Sequence, residues 1–283
     1  MTQAFAHPVP IDAATELYGV IGHPVAHSKS PVMHNRAFAE TGYPGIYAAF
    51  DVTDPAGAAA GIRALGIRGV SVTIPHKVAV MAFLEEIDDQ ARAIGAVNTI
   101  VNDQGRLIGH NTDGEGAVQA LLEHIRLSGK TVVVLGAGGA ARAVGHGLCS
   151  HGGTRVIFAN RTEQKARYMA QDLGAEFVPM AGLENTGFDI LINTTPVGMH
   201  PHTEAMAVAE SVLRPNLVVM DIVYNPLETM LLKRARDCGC TVIDGVGMFV
   251  YQGARQFSLW TGLEPPIAQM RQAVYEALNP LDN

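Results

Sequence analysis

Apolar residues recur along this chain in short runs bounded by glycine, proline or small polar residues. In the first half, Tyr18–Gly22, Ile46–Phe50, Gly69–Ile74 and Val97–Val101 read as strands, with helical stretches between them. One such stretch runs from the Ser30-Pro31 pair to Glu40. Serine as N-cap with proline at the first helical position is a start signal. The second half is more regular: Thr131–Leu135, Arg155–Ala159, Asp189–Asn193, Val218–Ile222 and Thr241–Asp244 are aliphatic or β-branched runs separated by helix-compatible segments. Such alternation predicts a parallel sheet covered on both faces. Leu227–Arg236 reads as a helix ending at Gly239, its last turns carrying Lys233, Arg234 and Arg236 where the helix dipole favours cations. After a strand that closes at Gly245, Met248–Trp260 reads as a helix returning the chain to the first domain. Residues 1–15 read as a loose leader.

A chain of 283 residues exceeds the usual single domain, so two domains are expected. Hydrophobic residues at 48% supply two cores, and a net charge of −7 argues against nucleic acid as the partner. The apolar runs are strand-length, far short of the ~20 residues a membrane helix needs, and the start shows no secretory pattern. Cys149, Cys238 and Cys240 are too few for a disulfide framework and fit a reducing compartment. A cytoplasmic protein with no membrane partner is expected. No metal is expected either: His23, His27 and His34 straddle Pro24, and His200 and His202 lack a Cys or carboxylate cluster nearby.

Thr131–Leu135 leads directly into Gly136-Ala137-Gly138-Gly139-Ala140-Ala141 and then a helix-compatible run. This is the dinucleotide fingerprint with alanine in its third place. Gly136 permits the tight turn, Gly138 lets backbone approach a pyrophosphate, and Ala141 keeps the helix close to the strand. The helix N-terminus then offers N–H groups to the anion. About 20 residues on, where an NAD site places a carboxylate, stand Asn160-Arg161-Thr162, with Lys165 one turn later. A guanidinium grips a 2′-phosphate that a carboxylate would repel, so NADP is the expected cofactor. The fold class that follows is α/β. An N-terminal α/β substrate domain (1–112 and 247–283) includes the returning C-terminal helices, and a Rossmann-type dinucleotide-binding domain spans 113–246.

Polar blocks gather at strand ends of the first domain, where catalytic groups of open α/β sheets collect. Ser28 and Ser30 follow the first strand, Thr73 and Lys77 follow the third, and Asn98 and Asp113 lie in the blocks Ala96–Thr99 and His110–Gly114. Carbonyl reduction needs a group that moves a proton as hydride arrives. A partly desolvated lysine tuned by a carboxylate suits that task.

In order, the blocks Gly22–Asn35, Val72–Lys77, Gly95–Thr99, Asn111–Gly114, Gly136–Ala141, Asn160–Thr162, Asn193–Met199, Asp221–Pro226 and Asp244–Gln252 resemble the shikimate dehydrogenase family over almost the whole chain after the leader. The resemblance implies NADPH-linked, reversible reduction of 3-dehydroshikimate to shikimate, a step of aromatic amino-acid biosynthesis. It implies Lys77 and Asp113 as the catalytic pair and Ser28 and Ser30 as carboxylate ligands. Thr73, Asn98, Asp113 and Gln252 are implied as partners of ring hydroxyls, Tyr224 as pocket wall, and Ile222 and Gly245 as residues near the nicotinamide. The partner is thus a small molecule, and the enzyme a monomer or homodimer. The alternatives are a quinate/shikimate dehydrogenase with relaxed cofactor use, and a non-catalytic sensor binding NADP and a metabolite.

Overall fold

The structure is a computed structural model describing residues 10–279, so the first part of the expected leader lies outside the described residues. The remainder turns at Asp12, where Thr15 N–H donates to Asp12 O at 3.2 Å. Contacts divide the chain into two compact units, one running to Thr112 and resuming at Gly253, the other spanning Asp113–Gln252. The sequence put the return at residue 247; the contacts change over within the same helix, after Gln252.

The first unit contains β1 (Glu16–Gly22), α1 (Ser30–Thr41), β2 (Gly45–Asp51), α2 (Pro55–Ala64), β3 (Gly69–Val72), β4 (Glu86–Ile87), α3 (Asp89–Ile94), β5 (Thr99–Asp103) and β6 (Arg106–His110). Its sheet has the order β2-β1-β3-β5-β6-β4. β1 runs parallel to β2 and β3, whereas β5 runs antiparallel to both β3 and β6. The hairpin between β5 and β6 was not anticipated. Its turn places Gln104 at φ 52° and Gly105 at φ 95°, the paired positive φ of a type I′ turn, and Asn102 Oδ1 accepts from Gly105 N at 2.7 Å.

The second unit contains α4 (Asp113–Leu122), β7 (Thr131–Leu135), α5 (Gly139–His151), β8 (Arg155–Ala159), α6 (Glu163–Asp172), β9 (Glu176–Phe177), β10 (Ile190–Asn193), β11 (Val218–Asp221), α7 (Met230–Asp237), β12 (Thr241–Ile243) and the start of α8 (Gly245–Thr261). Every pairing in its sheet is parallel, in the order β12-β11-β10-β7-β8-β9. This is the doubly wound order, with β7 and β10 flanking the switch point. Alternate residues of these strands feed two cores. Val132 and Val134 join the cluster of Leu148 and Phe158, and Val133 and Leu135 join that of Leu217 and Leu231. Glycine lets α5 lie close to its neighbours: a Cβ on Gly145 would stand 2.2 Å from Phe158 Cζ, and one on Gly147 would stand 2.7 Å from Gly114 O.

The end of α8 and α9 (Ile267–Leu278) complete the first unit. The Trp260 ring occupies the space where a Cβ on Gly69 would lie, 2.4 Å away, and its Nε1 donates to Ile100 O at 3.0 Å. α9 packs on α1, with Arg36 and Glu276 paired at 3.5 Å.

Three helix starts differ from expectation. α8 begins at Gly245, three residues before the expected Met248, because β12 already ends at Ile243. α1 begins at Ser30 itself, with Lys29 in the N-cap position and no side-chain cap, so the Ser30 hydroxyl is released from capping. α7 begins at Met230 rather than Leu227, because Thr229 caps it by accepting from Leu232 N at 3.4 Å. Among the described residues no helix is long and apolar enough to cross a membrane.

Candidate active site

Strand direction gathers the polar blocks of the first unit. Ile21 pairs with Val72 in parallel, Ser71 with Thr99 antiparallel, and Thr99 with His110 antiparallel. The end of β1, the end of β3, the start of β5 and the end of β6 therefore share one edge of the sheet. Ser28 and Ser30 follow β1, Thr73 and Lys77 follow β3, Asn98 precedes β5, and Thr112 follows β6. Ser28 Oγ donates to Ser30 Oγ at 3.2 Å and also accepts from Ser30 N at 3.3 Å. Thr73 N–H donates to Ile21 O at 2.9 Å, and its methyl packs on Gly22, where a Cβ would stand 2.4 Å from Thr73 Cγ2.

Lys77 and Thr112 are tied to adjacent residues. Val97 N–H donates to Lys77 O at 2.8 Å. Asn98 Oδ1 accepts from Thr112 N at 2.9 Å and Asn98 Nδ2 donates to Thr112 Oγ1 at 3.0 Å. Lys77 is half-buried, and Asn98 and Thr112 are buried. His76, whose role the sequence left open, is buried with Nε2 2.6 Å from Val52 O, bracing the loop that carries Lys77. Asp113, the first residue of α4, is 6% exposed and begins the second unit; Tyr224 and Gln252 belong to that unit as well.

In the second unit, the parallel register sets Leu135 beside Ala159 and Asn193, and Asn193 beside Asp221. The loops that follow these strands leave from one edge. Gly136 has φ 122°, a conformation that favours glycine, and a Cβ there would stand 2.6 Å from Thr194 Oγ1. Gly138 is the N-cap of α5, and a Cβ on Gly138 or Gly139 would meet nothing within 4 Å. The Ala137–Ala140 stretch thus offers open backbone at the start of a 13-residue helix, while Ala141 is buried beneath it. That arrangement suits a pyrophosphate. At the end of β8, Asn160 Nδ2 donates to Thr162 O at 3.0 Å, shaping the turn that leaves Arg161, Thr162 and Lys165 exposed. Among the described residues Arg161 and Lys165 have no carboxylate partner, which leaves both charges open to solvent.

A buried polar cluster lies behind these loops. Asp221 accepts from Asn193 Nδ2 at 2.9 Å, Thr229 Oγ1 at 2.7 Å and Val223 N at 3.1 Å. Asn193 in turn accepts from Thr195 Oγ1 at 2.7 Å, and Thr194 Oγ1 donates to Leu135 O at 2.5 Å. Burial pushes the Asp221 pKa up to about 6, with the bonds from Thr229, Val223 and Asn193 opposing it. Ile222 leaves this cluster against Gly245, where a Cβ would stand 2.5 Å from Ile222 O. The Tyr224 ring stacks on Phe249 at 4.6 Å, and burial raises its pKa to about 12, so the phenol stays protonated. Gln252 Nε2 donates to Phe249 O at 2.7 Å.

The structure therefore brings Ser28, Ser30, Thr73, Lys77 and Asn98 to one sheet edge. Asp113, Tyr224 and Gln252 lie in the unit that carries the glycine turn. Asn193 and Asp221 were read only as parts of longer blocks. Their signal is a polar side chain ending each of two buried apolar strands.

Residues 20–100 match the family described as Shikimate dehydrogenase substrate binding domain, residues 117–226 the family Shikimate / quinate 5-dehydrogenase, and residues 245–275 the family Shikimate 5'-dehydrogenase C-terminal domain. A protein of Geobacillus kaustophilus named shikimate dehydrogenase (NADP(+)) is 52% identical over 273 residues, covering 93% of this chain and 99% of its own length. A crystal structure of shikimate dehydrogenase in complex with NADP+ is similar with a TM-score of 0.92 at 45% identity, covering 96% of this chain and 99% of that one. The Thermus thermophilus shikimate 5-dehydrogenase, in complex with NADP(H) and shikimate, has a TM-score of 0.88 at 38% identity, covering 93% of this chain and 100% of that one.

Proposed function

This chain belongs to the shikimate dehydrogenase family, and from that premise we propose that Lys77 and Asp113 serve as the acid–base pair of an NADP-dependent, reversible reduction of 3-dehydroshikimate to shikimate. Bound NADPH supplies the hydride. Lys77 delivers a proton to the oxygen of the reduced carbonyl and takes it back in the reverse direction, and Asp113 orients and tunes the amine. Ser28 and Ser30 hold the substrate carboxylate. Thr73, Asn98, Asp113 and Gln252 meet the ring hydroxyls, and Tyr224 walls the pocket. Gly136, Ala137, Gly138, Gly139 and Ala140 would hold the pyrophosphate, and Asn160, Arg161, Thr162 and Lys165 the 2′-phosphate. Ile222 and Gly245 would face the nicotinamide end. The protein works in the cytoplasm as a monomer or homodimer.

One observation supports the pairing most directly. Val97 N–H holds Lys77 O at 2.8 Å, and Asn98, the next residue, holds Thr112 N–H at 2.9 Å, immediately before Asp113 in the chain. Two separate loops are thereby anchored on one dipeptide.

The test is absorbance at the reduced-nicotinamide band, with shikimate or quinate crossed against NADP+ or NAD+. Shikimate with NADP+ is expected to give the highest kcat/KM. No turnover with either acid would sink the enzymatic reading, and equal rates with NAD+ would remove the role of Arg161.

A further inference from the structure

A glutamine on the apolar face of a helix is costly unless both ends of its amide find partners. Gln256 lies on the part of α8 that belongs to the first unit, is 1% exposed, and has both ends satisfied. Its Nε2 donates to Asn98 O at 3.2 Å and to Thr99 Oγ1 at 2.9 Å, and its Oε1 accepts from Ser71 Oγ at 2.7 Å.

A backbone carbonyl only accepts, so the nitrogen of Gln256 must face Asn98 and the oxygen must face Ser71. Every neighbouring hydroxyl is then directed. Ser71 spends its proton on Gln256, so Tyr47 must donate to Ser71, which it does at 2.6 Å. Tyr47 lies in turn beside Ser30, and its ring is held by His34, stacked at 4.5 Å and 14°. On the other side, Thr99 accepts from Gln256 and gives its proton to Asn98 Oδ1 at 2.7 Å. With Thr112 N–H also filling Asn98 Oδ1, the amide is fixed with its nitrogen donating to Thr112 Oγ1 at 3.0 Å.

We propose that Gln256 is a positioning residue for the substrate: its amide sets the direction of one hydrogen-bond series that fixes the Asn98 side chain at one end and holds Tyr47 beside Ser30 at the other. This rests on the reading of Ser30 and Asn98 as substrate ligands. Only a side chain with a donor and an acceptor at opposite edges of one plane completes the series. Gln256 touches neither substrate nor cofactor; it acts through Asn98 and Tyr47.

The test compares Gln256→Met, which preserves volume but neither donates nor accepts strongly, with Ser71→Ala, a smaller change that breaks the same series. Each is expected to raise the KM for shikimate about 5–10-fold, the scale of one lost net hydrogen bond, with the KM for NADP+ held within about twofold. The double variant should be no worse than the poorer single, because both interrupt one series. Quenching of the single tryptophan, Trp260, by shikimate without cofactor gives the binding constant independently of turnover. Shikimate KM and binding unchanged in either folded single variant, the KM for NADP+ rising in step, or additive losses in the double would each overturn the proposal. Absence of shikimate turnover in the unsubstituted protein would instead strike the proposed function itself.

Discussion

Asn193 donates from Nδ2 to Asp221 Oδ1 across 2.9 Å, joining the ends of neighbouring parallel strands where neither side chain reaches solvent. Desolvation outweighs that bond and its companions, leaving the Asp221 pKa at about 6. An unfolded aspartate titrates near 3.9, so the folded state holds the extra proton between these values. The contribution of Asp221 to stability therefore falls as pH rises through that window, and is greatest below it. Asp221→Asn keeps the shape and cannot ionise. Its melting temperature relative to the unsubstituted protein should rise between about pH 4 and about pH 7. Parallel melting profiles across that range would show that Asp221 does not titrate there.

Lys77 is half-buried and its loop is anchored through Val97 N–H and braced by His76. Removing its amine should leave that loop intact, since the anchor uses the backbone. Lys77→Ala is expected to lower kcat by ~10²–10⁴-fold, the usual worth of a general acid, with a far smaller change in the KM for shikimate. Steady-state kinetics in both directions decide it; an unchanged kcat takes Lys77 out of the mechanism.

Arg161 is exposed at the end of β8 with no carboxylate beside it among the described residues. A charge-assisted bond to a phosphate is worth about 1.5–3 kcal/mol. Arg161→Ala should therefore raise the KM for NADP+ by about 10–100-fold while leaving that for NAD+ nearly unchanged. Initial rates with each nucleotide at fixed shikimate test this, and a parallel loss with both would reassign the residue to folding.

Gly245 stands where a Cβ would lie 2.5 Å from Ile222 O and 2.7 Å from Ile222 C, and backbone cannot swing aside as a side chain can. Gly245→Ala should cost about 1–3 kcal/mol in urea unfolding, as other overpacked sites do. It should also weaken NADP+ through the displaced Ile222 more than it weakens shikimate. Full stability with normal NADP+ binding would mean the loop yields freely.

Much of the second unit was legible because its strands are buried on both faces and read as unbroken apolar runs. Thr131–Leu135 and Arg155–Ala159 fall where the pattern put them. The geometry of the glycine turn was legible for a similar reason: it depends on neighbours a few residues away. β6 was not, since Arg106–His110 is short, alternates in polarity, and follows a turn with glutamine at positive φ. Ser30 was misread by one position because Ser-Pro signals a helix start without saying which residue caps it. The series through Gln256 was invisible for a deeper reason. Ser71 and Gln256 meet across 185 positions, and nothing local to either residue announces the other.

The first unit is closed by residues from the far end of the chain, with Trp260 over Gly69 and α9 against α1. The residues that seal the earlier sheet, from Gly253 onward, are synthesised only after the whole of Asp113–Gln252. Until then β3 and β5 lack the Trp260 ring that covers Gly69 and bonds Ile100 O.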